Sequence, residues 1–351
     1  MRYSIDSTLG EILSRPGMEE YLPYFYSAEN LACFPKEYAQ EPLALSRFRG
    51  RTPWSADLCE AAEQLVDAAN MILDIQKGKR RCVVPGTGAD WFPEGMGSDD
   101  RAQEEVFLVT PRIPKKAAEK KPALLICPGG GYEFVSFANE GNPVAQRAAR
   151  RGYLPFILRY STAPARFPKP QVDLVEAIVY IRRHAAQYGV DPDRIGLVGF
   201  SAAGHLIAST MCLYAHLAMG ISEDAALHPP KAIALGYPVI TFAKGVTHEG
   251  SFQALTGGQE HLRSKLSVEN MLSEEPFPQA YVFACEDDEL VPPENAKILK
   301  RELDRRGIPC TLRLFPTGGH GCGLGYATSA FSWSGEMLDF FDRALAGGGR
   351  P

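Results

Sequence analysis

From about residue 105 the chain alternates short apolar, β-branched runs with stretches whose apolar residues recur at helical spacing. That alternation predicts a mainly parallel sheet covered on both faces by helices. The runs Val106-Phe107-Leu108-Val109 and Ala123-Leu124-Leu125-Ile126 flank a charged turn and predict an opening hairpin, and Leu154-Pro155-Phe156-Ile157-Leu158 follows a helix over 142–151. Leu174, Ile178, Ile181, Ala185 and Tyr188 then share one helical face, which Gly189 terminates. A strand over 195–200 runs into a helix over 203–217. The strands Ala232-Ile233-Ala234-Leu235, Ala280-Tyr281-Val282-Phe283-Ala284 and Thr311-Leu312-Arg313-Leu314-Phe315 follow, with a helix over 293–306 before the last of them and another over 333–345 after it.

Two regions stand outside this alternation. Residues 1–80 predict a small helical N-terminal module: Leu65, Ala69, Ile72 and Ile75 mark a helix starting after Ser55, and shorter helices surround Leu9 to Leu13 and Met18 to Phe25. Residues 81–104, with Pro85-Gly86-Thr87-Gly88, predict a linker loop, so the main α/β unit is expected over 105–351. Within that unit, residues 241–278 are rich in Gly, Ser and Glu, with one helical stretch near 259–270. They predict a short cap over the strand ends.

Composition narrows the function classes. A hydrophobic content of 45% with 23% charged residues is that of an ordinary globular protein. A formal charge of −5 gives no electrostatic reason to expect nucleic acid or an anionic membrane surface as partner. The densest basic run, Lys115-Lys116 to Lys120-Lys121, falls between two apolar runs and reads as a solvated turn. The opening residues lack a basic stretch followed by an apolar one, and no segment reaches membrane-spanning length, so a cytoplasmic location is expected if Met1 is the true start. The eight cysteines show no C-x-x-C spacing and read as reduced thiols, with Cys127 and Cys322 nearest the candidate chemistry. Whether copies of the chain assemble as a homo-oligomer is left open.

The chemistry starts at Gly199-Phe200-Ser201-Ala202-Ala203-Gly204-His205, directly after the apolar run Ile195 to Val198. Small residues around Ser201 allow a cramped strand-to-helix turn that pushes a hydroxyl out of the sheet at the positive end of the next helix. The fifth position of the motif carries Ala203 in place of the usual glycine. Acyl transfer also needs a base, a carboxylate to orient it and donors for the oxyanion. In the order Ser, acid, His, the acid follows a late strand and the histidine the last one. Asp288 and His320 occupy those places. Asp288 lies among Glu286, Asp287 and Glu289, three residues before Val291-Pro292, and is preferred to Asp287 and Glu286 on that spacing. His320 stands between glycines after the last strand, whereas His205, in the first turn after Ser201, is expected to pack behind the site. The oxyanion donors are expected to be the N–H groups of Ala202, Gly130 and Gly131, the last two in Pro128-Gly129-Gly130-Gly131-Tyr132 after an apolar strand. Tyr132 and Phe134 are candidates to line the substrate cleft, with plain aromatic packing as the competing role. No cofactor is required, and no cluster at metal-ligand spacing is present.

Over about 105–346 these motifs, with Arg159-Tyr160-Ser161 and Gly318-Gly319-His320-Gly321, resemble the acetyl-esterase and acetylxylan-esterase-like branch of the α/β-hydrolases. The resemblance implies an α/β-hydrolase fold and a serine carboxylesterase acting on short acyl groups, often acetyl groups of carbohydrates. Pro128 stands where the hormone-sensitive-lipase branch has histidine, which argues against lipase-like substrates, and the helical N-terminal module lies outside the resemblance. Two rivals remain. A prolyl-oligopeptidase-like serine peptidase needs a propeller of several blades that residues before 105 are too few and too helical to form. A non-catalytic binding protein on a hydrolase scaffold is opposed by the complete set of candidate residues.

Overall fold

The computed structural model describes residues 2–26, 31–32, 34, 39–48, 58–91, 106–114, 119–273 and 276–346. Eight strands form a single sheet: β1 (Cys82–Val83), β2 (Phe107–Val109), β3 (Lys121–Cys127), β4 (Leu154–Arg159), β5 (Val190–Phe200), β6 (Ala232–Gly236), β7 (Gln279–Cys285) and β8 (Cys310–Phe315). Their spatial order is β1-β2-β4-β3-β5-β6-β7-β8. From β4 to β8 every pairing is parallel, while β1 and β2 add two antiparallel strands at one edge. The parallel core places the ends of β3, β5, β6, β7 and β8 along one rim, where ligands of such sheets bind.

Because successive side chains of a strand point to opposite faces, each central strand feeds two cores. Leu125, Leu197, Ile233 and Val282 pack under the helices Lys169–Arg183, Ala202–Cys212 and Glu294–Arg305. Leu124, Ile126, Val198, Ala234 and Phe283 pack on the other face, under the helices Asn142–Arg151 and Trp333–Ala344. The N-terminal helices Leu9–Leu13, Met18–Phe25 and Leu58–Gln76 share this second core, with no separate one of their own. The Phe25 ring lies 5.4 Å from that of Phe107 on β2 and 5.1 Å from that of Phe137.

The expected opening hairpin does not form. β2 pairs antiparallel with β4, and β3 runs between β4 and β5. The two runs are adjacent in the chain, but a parallel crossover through the helix Asn142–Arg151 puts β4 beside β3 and leaves β2 the far side of β4. The expected linker over 81–104 likewise begins with a strand, β1, and Val83 bridges back to Asp90 with Trp91 buried behind it. Two residues are too few for alternation to reveal a strand. The rest of that segment, the Lys115-Lys116 pair and the tail from 347 lie outside the described residues.

The helix expected over 203–217 breaks at Leu213 into Ala202–Cys212 and Tyr214–Met219. The 241–278 segment carries three short helices, Glu249–Thr256, His261–Leu266 and Val268–Met271, where one was expected. Its Phe242, Phe252, Leu255, Leu266 and Val268 are buried in the first core, so the segment is anchored from below rather than laid on top. Among the described residues no helix is long and apolar enough to cross a membrane.

Replacing Phe25 with alanine leaves a cavity against β2 and is expected to lower the unfolding free energy by about 3–5 kcal/mol. Denaturant unfolding should show one transition at a reduced midpoint. A separate early transition that leaves the sheet's midpoint unchanged would mean that the N-terminal helices fold as an independent unit.

Candidate active site

β5 ends at Phe200 and a helix begins at Ala202, which leaves Ser201 to reverse the chain direction alone, at φ 52° and ψ −122°. A non-glycine residue there is strained and persists only when its surroundings over-determine it. They do: the Ser201 N–H donates to the Gly236 carbonyl at 2.9 Å, and its own carbonyl accepts from the Val239 N–H at 3.0 Å. Gly199 supplies the room, since a Cβ there would stand 2.6 Å from the Ala203 carbonyl oxygen.

The structure brings Ser201, His320 and Asp288 into one hydrogen-bonded line. His320 Nε2 lies 2.8 Å from Ser201 Oγ, and its Nδ1 lies 2.8 Å from Asp288 Oδ2. The other oxygen of Asp288 accepts from the N–H groups of Leu290 and Val291 at 3.0 and 2.9 Å, which accounts for the spacing to Val291. The carboxylate is therefore buried with both oxygens occupied. Asp287, its competitor, turns the other way and accepts from the N–H groups of Gly318 and Gly319, bracing the histidine loop. With a carboxylate on Nδ1, that nitrogen carries the proton and Nε2 is left to accept from the serine.

Gly129-Gly130-Gly131 curls beside Ser201, with Gly130 at φ 128° and Gly131 at φ 66°. Among the described residues no carbonyl or side chain accepts from the N–H groups of Gly130, Gly131 or Ala202, which leaves these donors for a ligand. The Tyr160 hydroxyl donates to the Pro128 carbonyl at 3.0 Å and holds the start of this loop.

Comparison with known proteins points to the same fold. A BD-FAE family model matches residues 112–228. An acetylxylan esterase of Xylanibacter ruminicola is 29% identical over 67% of the chain, and endo-1,4-beta-xylanase B of Butyrivibrio fibrisolvens is 29% identical over 62%. The chain spans 46% and 35% of the lengths of these two curated relatives. The acetyl ester-xyloside bifunctional hydrolase of Caldicellulosiruptor lactoaceticus superposes with a TM-score of 0.62 at 29% identity, covering 75% of this chain and 95% of that one. The chain has the α/β-hydrolase fold and is similar to acetylxylan-esterase-like members of it.

In this α/β-hydrolase one candidate cleft residue lies elsewhere. Tyr132 is fully buried, and its hydroxyl lies 2.9 Å from His205 Nδ1. At φ 62° its backbone turns the ring inward, away from any substrate. Phe134, in contrast, is 44% exposed. His205 Nε2 lies 2.7 Å from the Leu266 carbonyl, which can only accept, so Nε2 holds the proton and Nδ1 accepts from Tyr132. His205 is thereby locked as a neutral ring behind the elbow, and burial lowers its pKa to about 4.

Four residues near the site carry no sequence motif. Glu140, Asn139 and Tyr237 lie beneath the loops, and His248 faces them from the 241–278 segment. The ring of His248 approaches to 3.6 Å from where a Cβ of Gly131 would stand. Its Nδ1 accepts from the Ser251 N–H at 3.2 Å, which puts the ring proton on Nε2, and burial lowers its pKa. A polar residue opening the Glu249–Thr256 helix is the sole signal that could have marked it.

His205 has a consequence for acid stability. Its folded pKa of about 4 lies below the ordinary 6.5, so the unfolded chain takes up a proton first as pH falls. The stability this group contributes is complete above pH 6.5 and is lost towards pH 4, by about 3 kcal/mol in total. Denaturant midpoints measured across this range should fall less steeply in His205→Gln than in the wild type. Parallel slopes would show that His205 is not held neutral.

Proposed function

We propose that the protein is a serine carboxylic ester hydrolase acting on short-chain acyl esters, with acetyl esters of carbohydrates as its substrate class. The observation that carries this reading is the continuous contact from Asp288 through His320 to Ser201, at 2.8 Å on each side of the ring. In this reading His320 removes the hydroxyl proton as Ser201 attacks the ester carbonyl, and the buried Asp288 stabilises the imidazolium that results. The N–H groups of Gly130, Gly131 and Ala202 receive the negative charge that develops on the carbonyl oxygen. His320 then protonates the departing alcohol, and water, activated by the same ring, releases the acid and frees Ser201.

The substrate class is supported by the relatives, among which an acetylxylan esterase and an acetyl ester-xyloside hydrolase match 67% and 75% of the chain. Exposed Phe134 lies on the glycine loop, where it would meet a substrate's alcohol or acyl portion.

Hydrolysis of p-nitrophenyl acetate is expected to exceed that of the butyrate and octanoate. Ser201→Ala should lower kcat by roughly 10⁴-fold or more, and Asp288→Asn by a similar order. Equal rates in wild type and Ser201→Ala would remove the reading, and faster cleavage of proline peptides than of esters would replace it with a peptidase.

A further inference from the structure

Behind the glycine loop lies a carboxylate that the triad does not use. Glu140 is 3% exposed, and each of its oxygens has a donor: Oε2 accepts from the Gly129 N–H at 2.6 Å and Oε1 from the Tyr237 hydroxyl at 2.7 Å. It belongs to a single π-helical turn, Phe137–Gly141, a rare form that is frequent at functional sites. Its neighbour in that turn, Asn139, donates to the carbonyl of Gly321 at 2.8 Å, one residue after His320. Two adjacent side chains thus hold the glycine loop, the histidine loop and the residue that follows β6.

The contacts are close enough to transmit position. A Cβ on Gly129 would stand 2.9 Å from Ser201 Cβ and 3.0 Å from Glu140 Oε2, so no other atom fits between loop, nucleophile and carboxylate. Tyr237 sits at φ 34°, its N–H donates to the Phe283 carbonyl at 2.6 Å, and its ring meets that of His320 edge to face at 5.0 Å. A buried carboxyl is costly unless its oxygens are satisfied, and here burial pushes it up while the Tyr237 and Gly129 donors pull it back. An apolar residue would avoid that cost but would leave the Gly129 N–H without an acceptor and the loop without a fixed direction.

Oxyanion donors accelerate the reaction to the extent that they are aimed before the charge develops. Because peptide planes are rigid, turning one amide backwards constrains the amides that follow it. We infer that Glu140 is a positioning residue for the oxyanion loop: it draws the Gly129 amide back so that the Gly130 and Gly131 amides face the tetrahedral intermediate. Through the Tyr237 hydroxyl it also holds the ring against which His320 rests. This inference rests on the ester-hydrolase reading.

The test uses the full chain, with p-nitrophenyl acetate as substrate and active sites counted by a serine-directed phosphonate, so that misfolded protein is excluded. In Glu140→Ala, kcat per titrated site should fall about 10- to 100-fold with KM within about twofold, somewhat less than the loss of a whole oxyanion donor. An arylboronic acid, which forms a tetrahedral adduct on the serine, should bind more weakly by a similar factor. Glu140→Gln should recover most of kcat, because its amide oxygen can accept from Gly129 and its NH₂ can donate to Tyr237. The inference is overturned by wild-type kcat per site in Glu140→Ala, by equal losses in the Ala and Gln variants, by a change confined to KM, or by boronate affinity that does not follow kcat. An inactive wild type, or an active Ser201→Ala, would instead overturn the ester-hydrolase reading on which it rests.

Discussion

The constraint on which the rest depends is that one serine must turn a central strand into a helix without help from its own side chain. Ser201 sits in a backbone region disfavoured for any residue with a Cβ. Its peptide groups are therefore tied to β6 on one side and to the segment after β6 on the other. The strand they meet, β6, is short, buried throughout and followed by another positive-φ residue, Tyr237. Tyr132, Ser201 and Tyr237, three of the four non-glycine residues at positive φ among those described, converge on the same rim. Strain is gathered where loops from separate strands must meet.

The loops are linked by side chains that do no chemistry in the proposed reaction. Asp287 holds the histidine loop, Tyr160 the start of the glycine loop, and Tyr132 with Leu266 the neutral ring of His205. The last of these joins the elbow helix to the 241–278 segment, so that segment is coupled to the site from below as well as through His248 above. Its buried Phe242 packs 4.5 Å from the His205 ring. The segment is therefore packed into the core behind the site.

Much of this was legible along the chain, for a physical reason. Ser201, Asp288 and His320 each follow an apolar run, and in a parallel sheet consecutive strands end on the same rim, so their convergence follows from element order alone. The preference for Asp288 over Asp287 was legible through the spacing to Val291, which the structure explains by the turn that one oxygen of Asp288 closes. Strand pairing was not legible: β2 and β3 are adjacent in the chain, yet the crossover through 142–151 puts β4 between them. Tyr132 misled because an aromatic residue after three glycines looks like a cleft wall, and only its backbone angle turns it inward. Asn139 and Glu140 left no mark because a single π turn has no period, and two polar residues after a loop read as more loop.

The shared core beneath the N-terminal helices bears on how the molecule is made. Leu22, Phe25, Leu65 and Ile72 are synthesised first, yet their partners Phe107 and Phe137 come later, and β2 has no parallel-sheet neighbour until β4 ends at Arg159. Domains fold from the N-terminus as the chain emerges. Here the apolar face of the N-terminal helices has to wait for the chain between residues 76 and 159 before it can close, so its burial depends on contacts distant in sequence.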